Sequence, residues 1–441
     1  MKSEKNKKYA KKYPPKELKR PILTGYACMN LDIYPNSYKT CRIQNINDER
    51  LKEIISHNIS VLEATIDYNI ANKNLMYRVS SSLIPYASNH DVIKIDWKKI
   101  YKRDFDRIKS KIEQSGIRIS CHPGQYTVLN SPNENVVKSS IRELEYHTDL
   151  MNLLSGTQNH KMILHIGGEY KNKKEAMERF IKVYKTLLSK DIKKYLVIEN
   201  DDKIYNVEEI LYISDATGCP VVFDNLHHEV NPSLKGLSLK EIFEKVISTW
   251  KPLDGRPKMH YSQQDIGKRK GAHSETIFLD RFQNDLGEIL ESFEVDIMLE
   301  VKDKNRSFIK TDLFLNPDRK TLEKEWARYK YWVMSKSQKA YNEIRSLFRN
   351  NKELSVFEFY SVIDNLRAEP FSLKDESNTL LHIWGYFKNI ALLKEKEFFF
   401  KNYELFREGE IKKEKMINII KTLTKKYNIK YLKDSYYIKG V

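Results

Sequence analysis

Cysteine is scarce in this sequence, and its spacing does not suggest pairing. Only Cys28, Cys41, Cys121 and Cys219 occur in 441 residues, and no two of them form a CxxC arrangement. This scatter argues against a disulfide framework and predicts reduced thiols. The sequence also lacks an apolar run of about 18 residues and an apolar segment behind its charged N-terminus. We therefore expect a soluble, cytoplasmic protein with no membrane contact.

Glycine is also sparse, and no G-x-G-x-x-G turn follows the first predicted strand. This absence argues against a dinucleotide-binding doubly wound sheet. We find no internal repeat. With 40% hydrophobic residues, the chain has enough apolar material for one large domain of about 250–300 residues and a smaller one.

Positive charge is in excess. The chain has 77 Lys and Arg against 60 Asp and Glu, a formal net charge of +17. Such a charge predicts a polyanionic partner, nucleic acid first, although a lysine-rich background composition would account for part of it. Residues 1–20 are dominated by Lys and Arg and predict a flexible basic tail. That tail either adds non-specific phosphate affinity or is simply solvated.

From residue 21 onward, short apolar strands alternate with amphipathic helices, which predicts parallel βαβ units. The predicted strands are 24–31, 75–80, 117–121, 161–166, 195–198, 221–223, 257–262 and 296–301. About eight units in ~290 residues predict a (β/α)8 barrel over residues 21–310, with a doubly wound sheet as the alternative.

After about residue 310 the strand pattern ends. Segments 322–349, 355–366, 376–394 and 410–426 predict helices, so residues 311–441 are expected to form a smaller all-α domain. This region has no acid or histidine cluster with ligand spacing. Its aromatic residues are more typical of a core than of a base-stacking surface.

The segment 220–229, PVVFDNLHHE, is the most informative stretch. A buried strand ends on Asp224, and His227 and His228 follow in the next turn. Acids and imidazoles at the end of a buried strand are good metal ligands. A helix-capping Asp followed by exposed histidines is the alternative.

The same pattern recurs at other predicted strand ends. There the sequence places His122, His165, Glu199, His260 and Glu300, with His273 nearby. In a barrel these ends build the active site, and so many structural histidines and acids there would be unusual. The set suits Zn2+, Mn2+ or Fe2+ and exceeds one tetrahedral site, which predicts two or three ions. Clustered ions favour displacement at phosphorus, and with a basic chain they indicate a metallonuclease.

The order of these motifs resembles the ultraviolet damage endonuclease family. The resemblance covers about residues 21–310 and is carried by GYACMN (25–30), YRVSS (77–81), SNH (88–90), HPGQY (122–126), LNSP (129–132), LHIGG (164–168), VIEND (197–201), FD (223–224), HH (227–228), KMHYS (258–262), GAH (271–273) and MLEVK (298–302).

The resemblance implies a TIM barrel related to endonuclease IV and a DNA-repair activity. It implies a metal-dependent nick immediately 5′ of cyclobutane pyrimidine dimers and 6-4 photoproducts in double-stranded DNA, and at some abasic sites. The cofactor would be two or three divalent ions, Mn2+ first, with Zn2+ or another ion as alternatives. We expect a monomer.

The resemblance also implies functional residues. The metal ligands would be His90, His122, His165, Glu199, Asp224, His227, His260, His273 and Glu300, and the catalytic residues Glu199, Lys258 and Glu300. Asn89 precedes His90 where the family usually has Ser, which weakens that assignment.

Lesion-binding residues follow from the same resemblance. Gln125 and Tyr126 match the family's probe pair, and an amide beside an aromatic ring can enter the base stack in place of flipped bases. A loop tyrosine packed on the barrel rim is the alternative. Asn30 and Tyr26, at the end of the first predicted strand, are expected to line the lesion pocket.

Lys258 lies two residues before His260, so both side chains face the barrel interior. Divalent ions would repel an ammonium group there. The alternatives are an outward salt bridge, a neutral amine near the phosphate, or a carbamate that bridges two metals, and we favour the carbamate.

Other functions remain open from the residues alone. The main rival is a TIM-barrel sugar isomerase, which also carries His, Glu and Asp at strand ends. A non-catalytic lesion-binding protein is the second rival. The C-terminal region resembles a small helical domain of unknown function, on WVMSKS (332–337), HIWGYF (382–387) and YL (431–432).

Overall fold

The computed structural model describes residues 22–350 and 355–440. The basic tail predicted at residues 1–20 lies outside the described residues. The chain divides into two compact units, with the boundary between Asp312 and Leu313.

The first unit is a closed barrel of eight parallel strands that pair in sequence order, with β8 returning to β1. The (β/α)8 prediction is therefore confirmed. The strands are β1 Thr24–Ala27, β2 Met76–Val79, β3 Arg118–Cys121, β4 Lys161–His165, β5 Leu196–Glu199, β6 Val221–Asp224, β7 Lys258–Tyr261 and β8 Asp296–Leu299.

Helices follow the strands and cover the barrel. They are α1 Asp48–Ala71, α2 Trp97–Ile100, α3 Lys102–Ser115, α4 Glu134–Leu154, α5 Lys173–Thr186, α6 Lys190–Tyr195, α7 Val207–Thr217, α8 Asn225–Val230, α9 Leu239–Ser248, α10 Leu279–Ser292 and α11 Asn305–Leu315. Local sequence sets several ends. Asn206 and Ser238 form capping boxes at the starts of α7 and α9, and left-handed Gly218 ends α7.

Some predicted boundaries differ from the structure. The first strand was expected to reach residue 31, but it ends at Ala27 because Cys28 has a left-handed φ of 68°. The helix predicted at 47–57 continues to Ala71. Its buried face continues through Ile59, Leu62 and Ile66, which keeps the later turns packed on the barrel.

Charged side chains fill the barrel interior at the amino ends of the strands. Arg118 Nη1 lies 2.7 Å from Asp296 Oδ2, and Lys161 Nζ lies 2.6 Å from Asp254 Oδ1. All four side chains are buried. Buried charges are costly unless they are paired, and in each of these two ion pairs the opposite charges compensate one another. Both pairs lie at the end of the barrel opposite the carboxyl ends of the strands.

The second unit is all-α, as predicted. Its helices are α12 Arg319–Lys336, α13 Gln338–Asn350, α14 Val356–Arg367, α15 Leu373–Trp384, α16 Leu393–Arg407, α17 Lys413–Lys426, α18 Lys430–Asp434 and α19 Tyr436–Lys439. The single helix predicted at 322–349 is two helices, because the chain is extended at Ser337.

Aromatic residues build much of this second core. Tyr329, Tyr331 and Phe399 are buried, and Trp384 stacks on Phe399 with ring centroids 4.4 Å apart. Phe398, in contrast, is exposed. Among the helices that the structure describes, none is long and apolar enough to cross a membrane.

Candidate metal centre

Acids and imidazoles meet at the carboxyl end of the barrel. His165, Glu199 and Asp224 are the last residues of β4, β5 and β6, while His122 and Glu300 directly follow β3 and β8. Parallel register places His165 beside Glu199, and Asp224 beside His260. Residues far apart in sequence thus become neighbours because the strands end at the same level.

Glu199 lies at the middle of this cluster. Its Oε2 atom is 3.0 Å from His122 Nε2 and 3.5 Å from His165 Nε2, and its Oε1 atom is 2.5 Å from His260 Nδ1. Burial by itself raises the pKa of this carboxyl. The surrounding imidazoles, His260 and His165 foremost, outweigh burial and hold the Glu199 pKa well below its usual range.

Asp224 is fully buried and only partly hydrogen-bonded. Its Oδ1 accepts the backbone N–H of His227 at 2.8 Å, whereas Oδ2 and the neighbouring His260 Nε2 have no hydrogen-bond partner within the described part of the chain. Burial raises the pKa of Asp224. Buried polar atoms without a partner are costly, and a bound metal ion would give both the carboxylate oxygen and the imidazole nitrogen a partner.

Two groups of side chains could each hold a metal ion, and Glu199 belongs to both. They are His122, His165 and Glu199, and Glu199, Asp224 and His260, with the ligand atoms of each group within 4.8 Å of one another. Nitrogen and oxygen donors in this proportion fit divalent ions such as Zn2+ and Mn2+. The residues present therefore fit the predicted metals.

Glu300 adjoins this cluster. Its Oε1 atom lies 3.1 Å from His260 Nδ1, and its Oε2 atom lies 3.9 Å from His273 Nδ1. Arg78, from β2, pairs with Oε1 as well. Although burial raises the pKa of Glu300, the charges of Arg78 and His260 hold it well below its usual range. The role of Arg78 was not predicted from the sequence, where the signal is an arginine inside a buried apolar strand.

His227 lies at the edge of the cluster and outside both groups. Its Nδ1 atom is 2.9 Å from the carbonyl oxygen of Asn200, and its ring centroid is 5.7 Å from that of His165. Burial lowers the His227 pKa, but the carboxylates of Asp224 and Glu199 raise it to about 9. Asn200 also exchanges two hydrogen bonds with the Asp224 backbone, a positioning role that was not predicted from the sequence.

His90 is not brought into either group. It is exposed, in the turn after Asn89, and the contact found for it is the bond that its carbonyl accepts from Lys94 Nζ at 3.1 Å. Its assignment as a ligand stays a prediction.

Lys258 is fully buried in the barrel interior. In the residues the structure describes, its Nζ atom has neither a hydrogen-bond nor an ion-pair partner. Burial, with the nearby charges of Arg118 and Arg78, holds the Lys258 pKa well below its usual range. Of the three states predicted for Lys258, the outward salt bridge is therefore not found in the described residues. The neutral amine and the carbamate remain as alternatives.

The two predicted lesion-binding pairs lie in different environments. Gln125 and Tyr126 are exposed on the loop after β3, and Tyr126 is 84% exposed, so it does not pack on the rim. Asn30 and Tyr26 are fully buried. Asn30 Nδ2 donates to the Tyr26 hydroxyl at 2.7 Å, and that hydroxyl donates to Asn69 Oδ1 at 2.7 Å. The assignment of Asn30 and Tyr26 to the lesion pocket stays a prediction.

Fold and site together define a (β/α)8-barrel enzyme with an acid and imidazole centre at the carboxyl ends of its strands. The family model of UV-endonuclease UvdE matches residues 22–316, and a model of a protein of unknown function, DUF1722, matches residues 330–440. The chain belongs to the UV-endonuclease UvdE family. The predicted resemblance is confirmed, and with it a DNA-repair endonuclease rather than a sugar isomerase.

Individual relatives agree with the family model. The UV DNA damage endonuclease of Clostridium perfringens (strain 13 / Type A) is 36% identical over 420 residues, which cover 94% of this chain and 98% of that protein. The enzyme of the same name from Bacillus cereus (strain G9842) is 32% identical over 259 residues, 58% of this chain and 80% of its own. The crystal structure of SacUVDE aligns with a TM-score of 0.60 at 40% identity, and covers 65% of this chain and 95% of that one.

Proposed function

We propose that this protein is a metal-dependent endonuclease that nicks double-stranded DNA immediately 5′ of cyclobutane pyrimidine dimers and 6-4 photoproducts, and at some abasic sites. The observation that carries the proposal is the pair of candidate ligand groups that share Glu199. Membership in the UV-endonuclease family supports DNA as the substrate. The two groups support dependence on two or three divalent ions, Mn2+ first and Zn2+ as the alternative.

The residues of the two groups would hold the ions. His122, His165, Glu199, Asp224 and His260 are the assignments with the strongest geometric support. His227, His273 and Glu300 border them, and His90 is assigned by resemblance alone. Bound ions would supply Lewis-acid stabilisation of the phosphate and a water of lowered pKa.

The protein's own groups prepare this site before any ion binds. Glu199 stays ionised because imidazoles surround it, so it can accept a cation near neutral pH. Arg78, from β2, neutralises and orients Glu300, which follows β8. The Asn200 amide holds the backbone of Asp224 in place, and the His227 N–H, which donates to Oδ1, orients its carboxylate.

Lesion recognition is assigned to the loop that follows β3. Tyr126 and Gln125 project from the same loop that begins with His122, so they lie close to the ligand groups along the chain. An exposed aromatic ring can occupy the gap that displaced bases leave, at little cost in rearrangement. Stacking of this kind distinguishes damaged from intact duplex, which phosphate contacts do not.

The test is to incubate metal-stripped protein with a duplex that holds one pyrimidine dimer, and to add Mn2+, Zn2+ or Mg2+ separately. We expect one cut immediately 5′ of the dimer, with a 3′-hydroxyl and a 5′-phosphate, and no cut in the matched undamaged duplex. Folded protein that binds metal but leaves the dimer strand intact with every ion would refute the proposal.

A further inference from the structure

A groove of about 810 Å3 adjoins the predicted probe pair. Its lining includes Gln125, Tyr126, Asn135, Ser139, Glu143 and Tyr170. Tyr170 belongs to the loop after β4, the strand that ends on His165. The groove therefore joins the loops that follow two strands of the candidate metal centre.

The loop after β4 holds Tyr170 in a defined position. Tyr170 and Lys171 both have left-handed φ angles, 47° and 67°, which residues with side chains seldom adopt. The Tyr170 ring lies so close to Gly168 that a Cβ atom there would be 3.2 Å from it. The Arg179 guanidinium lies 5.6 Å from the ring centroid, and its Nε donates to the Asn130 carbonyl at 2.9 Å. One face of the ring is thus supported, and Tyr170 is still 39% exposed.

The chemistry of the groove suits a nucleobase better than a phosphate. Among the described residues that line it there is no Lys or Arg, and Glu143 contributes a carboxylate. A phosphate group would find no cation there and would be repelled by Glu143. Two tyrosine rings, amides and hydroxyls instead offer stacking surfaces and hydrogen bonds to the edge of a base.

We propose that this groove binds an unstacked nucleobase of the substrate DNA, and that Tyr170 is a second stacking surface in addition to Tyr126. The proposal rests on the proposed function, because only a distorted duplex presents an unstacked base. Tyr170 is a binding residue in this scheme. The guanidinium of Arg179 supports the ring from behind.

Single-turnover nicking at increasing concentrations of the metal-loaded protein tests this assignment. Stacking is worth about 1–3 kcal/mol per base, so Tyr170→Leu should raise the half-saturating protein concentration about tenfold. Tyr170→Phe keeps the ring and should stay within about twofold of the wild type. The matched control is Tyr212→Leu, because Tyr212 is 48% exposed on α7 and does not line the groove. It should behave as the wild type.

A second measurement needs no variant. A damaged duplex with 5-iodouracil beside the lesion, irradiated at long wavelength with the wild-type protein, should crosslink to Tyr170. If Tyr170→Leu folds and nicks with the wild-type half-saturating concentration, the proposal is overturned. If Tyr170→Leu does not fold, judged by circular dichroism, a missing crosslink overturns it. Wild-type protein that fails to nick damaged DNA would instead refute the proposed function, while the crosslink still tests the groove.

Discussion

Glu199 is shared by the two candidate ligand groups, and its carboxylate lies within 3.5 Å of three imidazoles, those of His122, His165 and His260. Asp224 is the complementary residue, since one of its buried oxygens has no partner in the described residues. Both acids would be expected in a core only if something positive pairs with them. The two carboxylates are therefore expected to bind a cation.

We predict that Glu199→Gln and Asp224→Asn each lower nicking by about a hundredfold or more, since changes in groups that merely orient ligands already cost about 10–100-fold. Both amides keep the shape of the side chain, so the fold should survive. Elemental analysis of bound metal, circular dichroism and nicking rates check this. Either variant, stripped of contaminating metal, cutting at the parent rate would show that the ligand assignment is wrong.

Lys258 is buried beside His260 without a partner in the described residues, which leaves the carbamate hypothesis open. We predict that Lys258→Arg loses metal and activity although it keeps a positive charge, because arginine cannot form the bridging carbamate. Bicarbonate should speed reconstitution of the metal-free wild type. Full metal content and nicking in Lys258→Arg, or electron density for an unmodified ammonium paired with an acid, would contradict the hypothesis.

His160 gives a pH prediction that is independent of the metal centre. Burial lowers its pKa from the usual 6.5 to about 3, while Ile119 N–H donates to its Nδ1 at 2.9 Å. Below pH 6.5 the unfolded chain binds a proton that the folded chain does not, so stability falls as the pH falls towards 3.

We therefore expect the wild type to lose about 2 kcal/mol more free energy of unfolding than His160→Gln between pH 7 and pH 5. Urea unfolding of both proteins at the two pH values measures the difference. Parallel losses in the two proteins would mean that His160 is not held neutral in the fold.

At the scale of elements, the turn that follows β4 has a strict backbone requirement at Gly167. Gly167 has a φ of 116°, and a Cβ atom there would lie 2.4 Å from Asn130 Oδ1. Asn130 Nδ2 in turn donates to the Gly168 carbonyl at 2.7 Å. Gly167 and Gly168 allow the chain to turn directly after His165, and Asn130 packs against this turn.

We predict that Gly167→Ala destabilises the protein by about 1–3 kcal/mol, because alanine is strained at this φ and must displace Asn130. Gly124→Ala is the matched control. Gly124 belongs to the neighbouring loop, and a Cβ atom there would have no neighbour within 4 Å. Urea unfolding should separate the two variants, and equal stability would contradict this account of the turn.

At the scale of the whole molecule, we expect the excess of positive charge to govern general DNA affinity. With a net charge of +17, the protein should bind undamaged duplex mainly through phosphates and with a steep dependence on salt. Lesion preference, in contrast, comes from short-range stacking by Tyr126 in the proposed function. These two contributions can be measured separately, because they respond to different changes.

We predict that Tyr126→Ala reduces the preference for damaged over undamaged duplex, while the slope of log affinity against log salt concentration stays as in the wild type. Binding titrations on both duplexes at several salt concentrations give both quantities. The same loss of affinity on damaged and undamaged DNA would argue against a role of Tyr126 in lesion recognition.

The sequence by itself determined the (β/α)8 barrel and most of the cluster, because both depend on local patterns. Apolar runs separated by amphipathic helices specify parallel strands, and polar residues at the ends of such runs must lie at one end of the barrel. His122, His165, Glu199, Asp224 and His260 could therefore be named before their distances were known. Helix ends with a clear cap, such as Gly218, were also predictable.

Only the tertiary structure decided which atoms meet and which are buried, because those contacts form when distant segments close the barrel. Arg78 reaches Glu300 across 222 residues of sequence, and Glu199 joins two ligand groups whose members come from five strands and their ends. Burial also distinguishes two tyrosines, Tyr26 and Tyr126, that the sequence motifs both assigned to lesion binding. Tyr26 is enclosed with Asn30, whereas Tyr126 is exposed and shares a groove with Tyr170, because loops after different strands pack against one another only in the closed barrel.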